Sequence, residues 1–474
     1  MLRPDGNFSL REAGGVSCFV HRSGREVRTD EAGKAIWESL PGDKAETNKR
    51  AMDRLGLDAG QTFQAGGGVI AVFIEVLVRA GIIVSDEKNS VADVARPEEK
   101  ENTEGTGEPA VSVVVVTHNG SIHIDDCMGS LLAQNYPRLE IIVVDSGSTD
   151  GTPELIRKKY PVVRTISFAE NIHFARAVNE GVKNSRGSHV FILNQDVEVG
   201  RDCVAALAGR FQKERARGLK TGAVVQLMKF FDLRGFVNGL GNHVSERGWG
   251  SDNFIGFVDV GQFGNLAEVP SACFGAVMLD RSAVEGVGLL DDEYTAFYED
   301  VDWSYRCWMS GWRIVPESRA VVYHKFGASY PRKGKLKLVA RNRLRLVLKL
   351  FRDRRRWKFL KCYVGEDGRN MASFIARREW SQMGAYIVAY ASLLGQIPGI
   401  LLKRRKILGP MRRSRPPDRT TKQIRDSDIL AMNPAVFSAL DDVGRPILDA
   451  RMISTYYYPL YEKRGIVNLS PPFV

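Results

Sequence analysis

The sequence has few cysteines, and none of them forms a closely spaced pair. The six are Cys18, Cys127, Cys203, Cys273, Cys307 and Cys362. Because structural zinc sites and disulfide frameworks need cysteines at short or regular spacings, the sequence indicates neither. The N-terminal residues also lack an apolar run of the kind that a secretory signal contains, so we expect a cytoplasmic protein.

Uninterrupted apolar runs of membrane-spanning length are also missing. Residues 68–84 are interrupted by Glu75 and Arg79, and residues 384–402 by Gln396 and Pro398. The second run is followed by a basic cluster at 403–406, as at the end of an interfacial helix. A buried helix pair that ends in a solvated charge run fits the pattern equally well. Peripheral contact at the inner face of the cell membrane is therefore a hypothesis.

An acidic excess is absent as well, since 67 Lys and Arg stand against 56 Asp and Glu, a net charge of +11. This charge suits an anionic partner, such as a nucleotide diphosphate, an acidic lipid surface or a nucleic acid. We expect no nucleic acid, because no recognised nucleic-acid module accompanies the basic residues. A length of 474 residues, 44% of them apolar, is typical of about two or three globular domains.

The composition divides the chain into four parts. Residues 1–85 read as a small unit of one strand and several helices, and residues 86–109 are too polar to bury a core and read as a flexible linker. Residues 110–330 alternate apolar strands with helices, which predicts an α/β domain with an open sheet. Residues 331–474 are basic and largely helical. Within them, residues 332–358 predict an amphipathic helix that either lies on an anionic membrane, contacts an acceptor or presents a solvated face.

Polar residues follow three of the apolar strands, at the sheet edge where open α/β sheets bind ligands. The first strand ends in Thr117-His118-Asn119, the second in Asp145-Ser146-Gly147-Ser148, and a later one in Asn194-Gln195-Asp196. Each of these three motifs alone is weak evidence for a ligand site, because such residues commonly cap helices and form turns. For Asp150, which follows the second strand, we favour the cap interpretation.

Taken together and in order, these motifs resemble the family 2 glycosyltransferases of GT-A fold, particularly the rhamnosyl- and galactofuranosyltransferase branch. The resemblance covers residues 111–350 and rests on SVVVVTHN, VVDSGSTDGT, ENIHFARAVNEG, LNQD, LLDDEYTAFYEDVDWSYRCW and VVYH. It implies inverting transfer of a hexose or deoxyhexose from a nucleotide-diphosphate sugar to a hydroxyl of a polysaccharide, a lipid-linked glycan or a peptide-derived acceptor. It also implies a Rossmann-like open mixed sheet followed by C-terminal helices.

The resemblance assigns the nucleotide and metal sites. Asp145 would bind the base or ribose, and Thr117, Asn119, Ser148 and Asn194 would lie near the nucleotide. Asp196 and His324 would bind a divalent cation, Mn²⁺ or Mg²⁺, which bridges the two phosphates. Oxygen ligands suit a hard cation, and an imidazole suits Mn²⁺ more readily than Mg²⁺. Without Asp196 and the acidic motif, His324 would read as an ordinary surface or core residue.

The acidic motif Glu299-Asp300-Val301-Asp302 carries the predicted catalytic residues. The resemblance assigns the catalytic base to Asp300, and Glu299 would position the acceptor or the sugar. We predict that Asp302 orients Arg306 one helical turn later. The alternative is that the three carboxylates only complement a helix N-terminus.

Two departures from the branch pattern bear on the donor. Where many members read N-x-G-F, this chain has His173 in place of glycine, which predicts a crowded donor side. Where they read N-P-D, the chain has Asn194-Gln195-Asp196. These departures favour a second hypothesis, in which a degenerate transferase serves as a peptide-binding protein.

Peptide binding would reside in the N-terminal unit. Residues 26–84 resemble the small winged-helix domain of coenzyme PQQ synthesis protein D, on the helix with Ile36-Trp37 and the later G-I-I-V strand. Such a domain binds peptides by pairing them with an edge strand. A scaffold that only packs on the transferase is the equal alternative.

Overall fold

The computed structural model describes residues 8–13, 16–21, 26–29, 109–231, 234–244, 249–257, 259, 261–326, 334–351 and 356–413. The predicted N-terminal helices, the linker up to residue 108 and the tail after residue 413 lie outside these residues. The chain divides into two compact units, Met1–Thr106 with Val258–Val260, and Gly107–Phe257 with Gly261–Val474.

The described part of the first unit is an antiparallel sheet of three strands in the order β1-β2-β3. The strands are β1 (Phe8–Ala13), β2 (Val16–His21) and β3 (Glu26–Thr29). Strand β2 is the strand that the apolar run GVSCFVH predicts. The winged-helix prediction needs the helices that follow, and these lie outside the described residues.

The second unit contains the remaining strands and all the described α-helices. Its strands are β4 (Val111–Thr117), β5 (Leu139–Ser146), β6 (Arg164–Phe168), β7 (His189–Asn194), β8 (Val197–Val199), β9 (Thr221–Phe230), β10 (Val237–Gly239), β11 (Asn242–Val244), β12 (Gly250–Asp252), β13 (Ala276–Asp280) and β14 (Arg313–His324). Its helices are α1 (Ile124–Leu132), α2 (Thr152–Lys159), α3 (Phe174–Asn184), α4 (Cys203–Ala216), α5 (Arg281–Val287), α6 (Glu299–Met309), α7 (Lys335–Leu350), α8 (Arg356–Ala376) and α9 (Trp380–Arg413).

The main sheet is open and mixed, in the order β6-β5-β4-β7-β13-β9-β14-β8, with β10 paired to β9. Strands β6, β5, β4 and β7 run parallel, and β13 pairs antiparallel with both β7 and β9. Parallel strands joined by helices leave polar residues at one edge, the carboxyl end. The predicted α/β architecture with an open mixed sheet is confirmed.

Burial explains why the parallel strands are so uniformly apolar. All seven residues of β4 are buried, with Val114 and Val116 in the core on one face and Val113 and Val115 in the core on the other. A strand covered by helices on both faces cannot alternate with polar residues. The sheet therefore forms a rigid base from which the loops at its carboxyl edge project.

Helices follow the sheet, as predicted, and there are three of them in the described chain. In the first, α7, basic residues that were expected at the surface are buried. Arg341, Arg343, Arg345 and Lys349 of α7 are all buried. Arg343 pairs with Asp367 of α8, and Lys349 pairs with Asp291 and Asp302. Because these four cations are buried inside the protein, they cannot face an anionic membrane, and that interpretation of residues 332–358 is wrong for them.

Helix α9 is the apolar helix that the run at 384–402 predicts. Over Trp380–Gly409 it is long and apolar enough to cross a membrane by length and composition, and 22% of its most apolar window is buried. Within the described chain no other helix has this property. Length and composition also suit an exposed or half-buried helix at a surface.

Candidate active site

The carboxyl ends of β4 and β7 are joined by the side chain of Gln195. Gln195 Oε1 accepts hydrogen bonds from Thr117 Oγ1 and from the His118 N–H, and its Nε2 donates to the His118 carbonyl at 3.2 Å. A Cβ on Gly120 would lie 2.0 Å from Gln195 Oε1, so a larger residue there would have to displace the Gln195 amide. Thr117 is therefore buried beside Gln195 and helps to fix the shape of the edge.

The end of β5 forms a tight turn around Asp145. Ser148 donates to both carboxylate oxygens, through its hydroxyl and its backbone N–H. Gly147 has φ 69°, and a Cβ there would lie 2.5 Å from the carbonyl carbon of Glu170. Burial raises the pKa of Asp145 even though Ser148 donates to it. The turn therefore holds a carboxylate that can accept further hydrogen bonds from a ligand.

Asn119 and Asp150 connect the first two strand ends. The Asn119 N–H donates to Ser148 Oγ at 2.8 Å, and Thr149 N donates to Asn119 Oδ1 at 2.8 Å. Asp150 Oδ1 accepts from the Thr152 N–H at 3.1 Å, at the first residue of α2. The N-cap residue of α2 is Gly151, so Asp150 is not the cap but binds the first helical N–H from one residue before it. Asn119 and Ser148 form one hydrogen-bonded cluster with Asp145.

Asp196 and His324 lie side by side at the end of β14. Their Oδ2 and Nε2 atoms are 3.6 Å apart, and His324 Nδ1 lies 2.7 Å from Asn238 Oδ1. An acceptor on Nδ1 fixes the tautomer that leaves Nε2 free to bind a metal. One carboxylate oxygen and one imidazole nitrogen are thus directed at each other. In the described part of the chain no group of three His, Cys, Asp or Glu is arranged to hold a metal ion.

Asn194, the remaining predicted nucleotide residue, lies at the end of β7. Its backbone N–H donates to the Gly275 carbonyl at 2.9 Å, and its own carbonyl lies 3.8 Å from Cys127 Sγ. Its side-chain amide faces Gly275, since a Cβ there would lie 3.6 Å from Asn194 Nδ2. Asn194 is thus held at the sheet edge next to the predicted metal residue Asp196.

The predicted base, Asp300, is the second residue of helix α6. Its Oδ2 accepts from Asn242 Nδ2 at 2.8 Å and its Oδ1 from the Val301 N–H at 2.7 Å. Glu299 is buried, and its Oε2 has no hydrogen-bond partner among the described residues. Burial, with the neighbouring Asp300 charge, raises the pKa of Glu299 well above its usual range.

Burial also raises the pKa of Asp300 to about 6, although Val301 and Asn242 donate to its charged form. A carboxylate with a pKa near the working pH is suited to general base catalysis, because it is ionised and still accepts a proton readily. The two carboxyls of Glu299 and Asp300 are adjacent and lack a cationic partner in the contacts above. Buried carboxyls whose pKa is raised in this way are candidates for a functional site.

Asp252 is a third carboxylate at the site, and the sequence reasoning missed it. It lies opposite Asn242 in the β11-β12 pair, and Asn242 is the residue that donates to Asp300. Burial raises the pKa of Asp252 to about 6, with His324 lowering and Asp300 raising it. Asp252 is therefore within electrostatic range of both the predicted base and the predicted metal ligand, which brings the two halves of the site together.

Asp302 has a different role from its neighbours, as predicted. It accepts from Arg306 Nε at 2.9 Å, from Lys349 Nζ at 2.6 Å and from the Tyr294 hydroxyl at 3.1 Å. It is completely buried. Its charge is therefore used inside the protein, and the prediction that it orients Arg306 is confirmed.

His173 occupies the backbone position that the branch pattern gives to glycine. Its φ is 64° and its ψ is 165°, a combination that almost only glycine adopts. It precedes α3, whose Ala175 N–H donates to the Thr295 carbonyl at 3.3 Å. The sequence predicted crowding at this position, and the structure adds backbone strain.

The residues that sequence reasoning missed are mainly amides. Gln195, Asn238 and Asn242 hold Thr117, His324 and Asp300 respectively. Asn238 and Asn242 lie in the stretch VNGLGN, where several glycines and asparagines follow a strand. That composition is typical of a turn. It does not indicate which side chains the two asparagine amides bind.

The comparisons with known proteins concern the domain that contains this site. Residues 112–287 match the family model described as Glycosyl transferase family 2. The poly-beta-1,6-N-acetyl-D-glucosamine synthase of Staphylococcus epidermidis is 31% identical over 114 residues, which are 24% of this chain and 28% of the relative. The N-acetylglucosaminyl-diphospho-decaprenol L-rhamnosyltransferase of Mycobacterium tuberculosis is 25% identical over 248 residues, 45% of this chain and 75% of that protein.

Among solved structures, a mannosyltransferase from Pyrobaculum calidifontis in complex with GDP-Man and Mn²⁺ aligns with a TM-score of 0.38 and 18% identity. The alignment covers 70% of this chain and 86% of that one. The chain spans 28% of the length of the staphylococcal synthase but 75% of the rhamnosyltransferase. The family model and the two relatives support a family 2 glycosyltransferase domain in the second unit.

Proposed function

We propose that the chain is an inverting glycosyltransferase that moves a hexose or deoxyhexose from a nucleotide-diphosphate sugar to a hydroxyl acceptor. The observation that carries the proposal is Asp300, a carboxylate with its pKa raised to about 6 that is held by Asn242 and Val301. Asp252 is within electrostatic range of both Asp300 and His324, and His324 lies beside Asp196. An inverting transfer needs these two functions on opposite sides of the anomeric carbon.

Asp300 would take the proton of the attacking acceptor hydroxyl. Its ionised form is stabilised by two hydrogen bonds, while burial keeps it basic enough to accept the proton. Glu299, buried and with one oxygen unpaired among the described residues, would accept a hydroxyl of the sugar or the acceptor. Asp145, supported by Ser148 and Asn119, would bind the nucleoside, with Thr117 and Asn194 lining the edge beside it.

Asp196 and His324 fit a divalent cation, Mn²⁺ or Mg²⁺, because a carboxylate and an imidazole with a fixed tautomer are directed at one point. When bound, the cation would neutralise the charge that develops on the departing diphosphate. Asp196 and His324 would thus hold the cation, and Asp300 would accept the proton of the acceptor hydroxyl.

The test is a turnover assay with purified full-length protein, Mn²⁺ or Mg²⁺, and a panel of UDP-, GDP- and dTDP-sugars, with released nucleotide diphosphate as the readout. We expect release from one donor, which chelation abolishes. Asp300→Asn should reduce it about 100-fold to 10,000-fold, the usual contribution of general base catalysis.

The matched control is Asp292→Asn, which neutralises an exposed carboxylate on the loop that precedes α6. Its turnover should stay within about twofold of wild type. Equal activity of Asp300→Asn and wild type would show that the base is wrongly assigned. Nucleotide-sugar binding without turnover, with or without added acceptor, would favour the alternative of a degenerate transferase that binds peptides.

We further propose that the protein works at the inner face of the membrane on a lipid-linked acceptor, with helices α8 and α9 as the contact surface. Nine of the twelve large apolar side chains that are exposed in the described chain lie on these two helices. They are Trp357, Val364, Ile375, Trp380, Ile387, Val388, Leu394, Leu401 and Leu402. Exposed basic residues accompany them, including Lys358, Lys361, Arg405 and Lys406. Apolar and basic residues together suit an anionic bilayer surface.

Co-sedimentation with phosphatidylglycerol vesicles tests this surface. We expect binding that weakens with salt and is lost in the double variant Trp380→Ser, Leu394→Ser. Val162→Ser, which removes an exposed apolar side chain between α2 and β6, is the control and should bind as wild type does. Equal binding of all three proteins, or none by wild type, would contradict the proposal.

A further inference from the structure

The loop before α6 has an unusual backbone. Thr295, Phe297 and Tyr298 have φ values of 65°, 65° and 70°, in the left-handed region that residues other than glycine seldom adopt. Each such residue costs about 1 to 3 kcal/mol unless surrounding contacts enforce it. Tyr298 directly precedes Glu299 and Asp300, so the position of these carboxylates depends on whatever holds the loop.

Asn342 of α7 provides three of the contacts that hold it. Its Nδ2 lies 3.0 Å from the Tyr294 carbonyl, 2.9 Å from the Ala296 carbonyl and 2.8 Å from the Phe297 carbonyl. The side chain is completely buried. One amide therefore binds the carbonyl oxygens around the whole left-handed turn.

Arg341 orients that amide. Its Nε donates to Asn342 Oδ1 at 2.9 Å, so the oxygen of the amide faces the guanidinium and the nitrogen faces the loop. Its Nη2 also donates to the carbonyls of Glu293 and Tyr294, at 3.2 and 2.9 Å. The two consecutive residues thus bind the backbone from 293 to 297, and we call them the loop clamp.

We propose that the loop clamp, Arg341 and Asn342, positions the catalytic base Asp300 for transfer. The inference rests on the proposed function, since it gives Asp300 its role. The hydrogen bonds described above join the clamp to the loop backbone, so the clamp acts on Asp300 through the loop. A displacement of about 1 Å in a catalytic group is enough to reduce turnover about 100-fold.

Asn179 of α3 offers a matched control, because it is also a buried amide that binds this stretch of backbone. Its Nδ2 donates to the Leu290 carbonyl and its Oδ1 accepts from the Leu290 N–H, both at 2.9 Å. Leu290 precedes the left-handed turn. Asn179→Ala and Asn342→Ala therefore remove similar hydrogen bonds, but only the second frees the residues next to Asp300.

The experiment compares wild type, Asn342→Ala and Asn179→Ala with the donor and metal that support turnover. We expect Asn342→Ala to lower kcat about 100-fold, with the donor KM within about twofold. Asn179→Ala should lower Tm to a similar extent while kcat stays within about twofold. A merely structural role predicts the same kcat for both variants.

The second readout is the dependence of kcat on pH, in particular its acid limb, where kcat falls as the catalytic carboxylate is protonated. The titratable groups around Asp300 are Glu299, Asp252, Tyr298 and Cys273. If the loop relaxes in Asn342→Ala, Asp300 gains solvent, its pKa falls and the acid limb moves to lower pH. The same limb should not move in Asn179→Ala.

A kcat and an acid limb that both match wild type in Asn342→Ala would overturn the inference, even with a lower Tm. If that variant does not fold, Arg341→Lys is tested instead by kcat and by the acid limb. This substitution keeps the charge but loses the hydrogen bond from Nε to Asn342. Silence of the wild-type enzyme on every donor would instead overturn the proposed function itself.

Discussion

Two groups of buried carboxylates lie within twelve residues of each other. One group has cationic partners, and the other has only neutral hydrogen-bond donors in the contacts described. Asp291 and Asp302 are surrounded by Arg345, Lys349 and Arg306. Glu299 and Asp300 receive only neutral donors in the contacts described, and burial raises the pKa of both. Against its burial, Lys349 and Arg345 hold the pKa of Asp291 well below its usual value. The paired group stabilises the fold, and the unpaired group is available for chemistry.

The backbone shows the same division. Of the seven described non-glycine residues with positive φ, six lie between 119 and 298, around the site, and the seventh is Arg378 between α8 and α9. Strained backbone and unpaired charge therefore occur together. Sites that must act on a ligand commonly retain such unfavourable features, and the rest of the protein compensates for them.

The largest effect should come from breaking the paired group. Asp302→Asn would leave Lys349 and Arg306 buried with one fewer counter-charge, so we expect a loss of about 3 to 5 kcal/mol in the free energy of unfolding. Urea unfolding measures it. Asp292→Asn, on an exposed carboxylate nearby, should change the free energy by less than about 0.5 kcal/mol. A similarly small change in Asp302→Asn would show that the charge-paired carboxylates do not stabilise the fold.

The opposite change is expected at Asp300. An acid whose pKa is raised in the folded state binds its proton more tightly when folded, so stability falls as pH rises from about 4 to about 6. Asp300→Asn removes that cost. We expect it to gain about 3 kcal/mol at pH 7 and nothing at pH 3, while turnover is lost. Unfolding measured at both pH values tests the sign, and a loss of stability at pH 7 would refute it.

The smallest effect concerns strain rather than charge. His173→Gly should raise the free energy of unfolding by about 1 kcal/mol, because relief of the strained φ and ψ exceeds the entropy that glycine adds to the unfolded chain. It should also change the donor KM. Arg378→Gly, the same substitution at a positive φ away from the site, should leave the KM unchanged. A destabilised His173→Gly would show that the histidine side chain holds the turn by contacts.

Local patterns predicted much of the fold and part of the site. The apolar runs marked β4, β5 and β7, and the i,i+4 spacing paired Asp302 with Arg306. These features depend on neighbours a few residues apart. The strand ends also predicted Asp145 and Asp196 as site residues, and the family resemblance assigned Asp300 within the acidic motif. The ligands of all three remain predictions.

The rest depends on partners far away in the chain. Asn242 lies 58 residues from Asp300 and Asn342 lies 45 residues from Phe297, so no local period links them. The basic residues of α7 read as an amphipathic surface because Asp291 and Asp367, their partners, belong to other elements. A single sequence contains both halves of each pair without indicating that they meet.

Lys403 gives the apolar helix α9 a part in the site's architecture. Its Nζ lies 2.6 Å from Asp291 and 2.8 Å from Glu293, at the start of the loop that leads to Asp300. A chain shortened before residue 403 would keep every residue assigned to nucleotide, metal and base, yet lose a cation that anchors this loop. The helix is therefore not a detachable anchor, and trimming it for solubility would work against the geometry of the enzyme that one hoped to isolate.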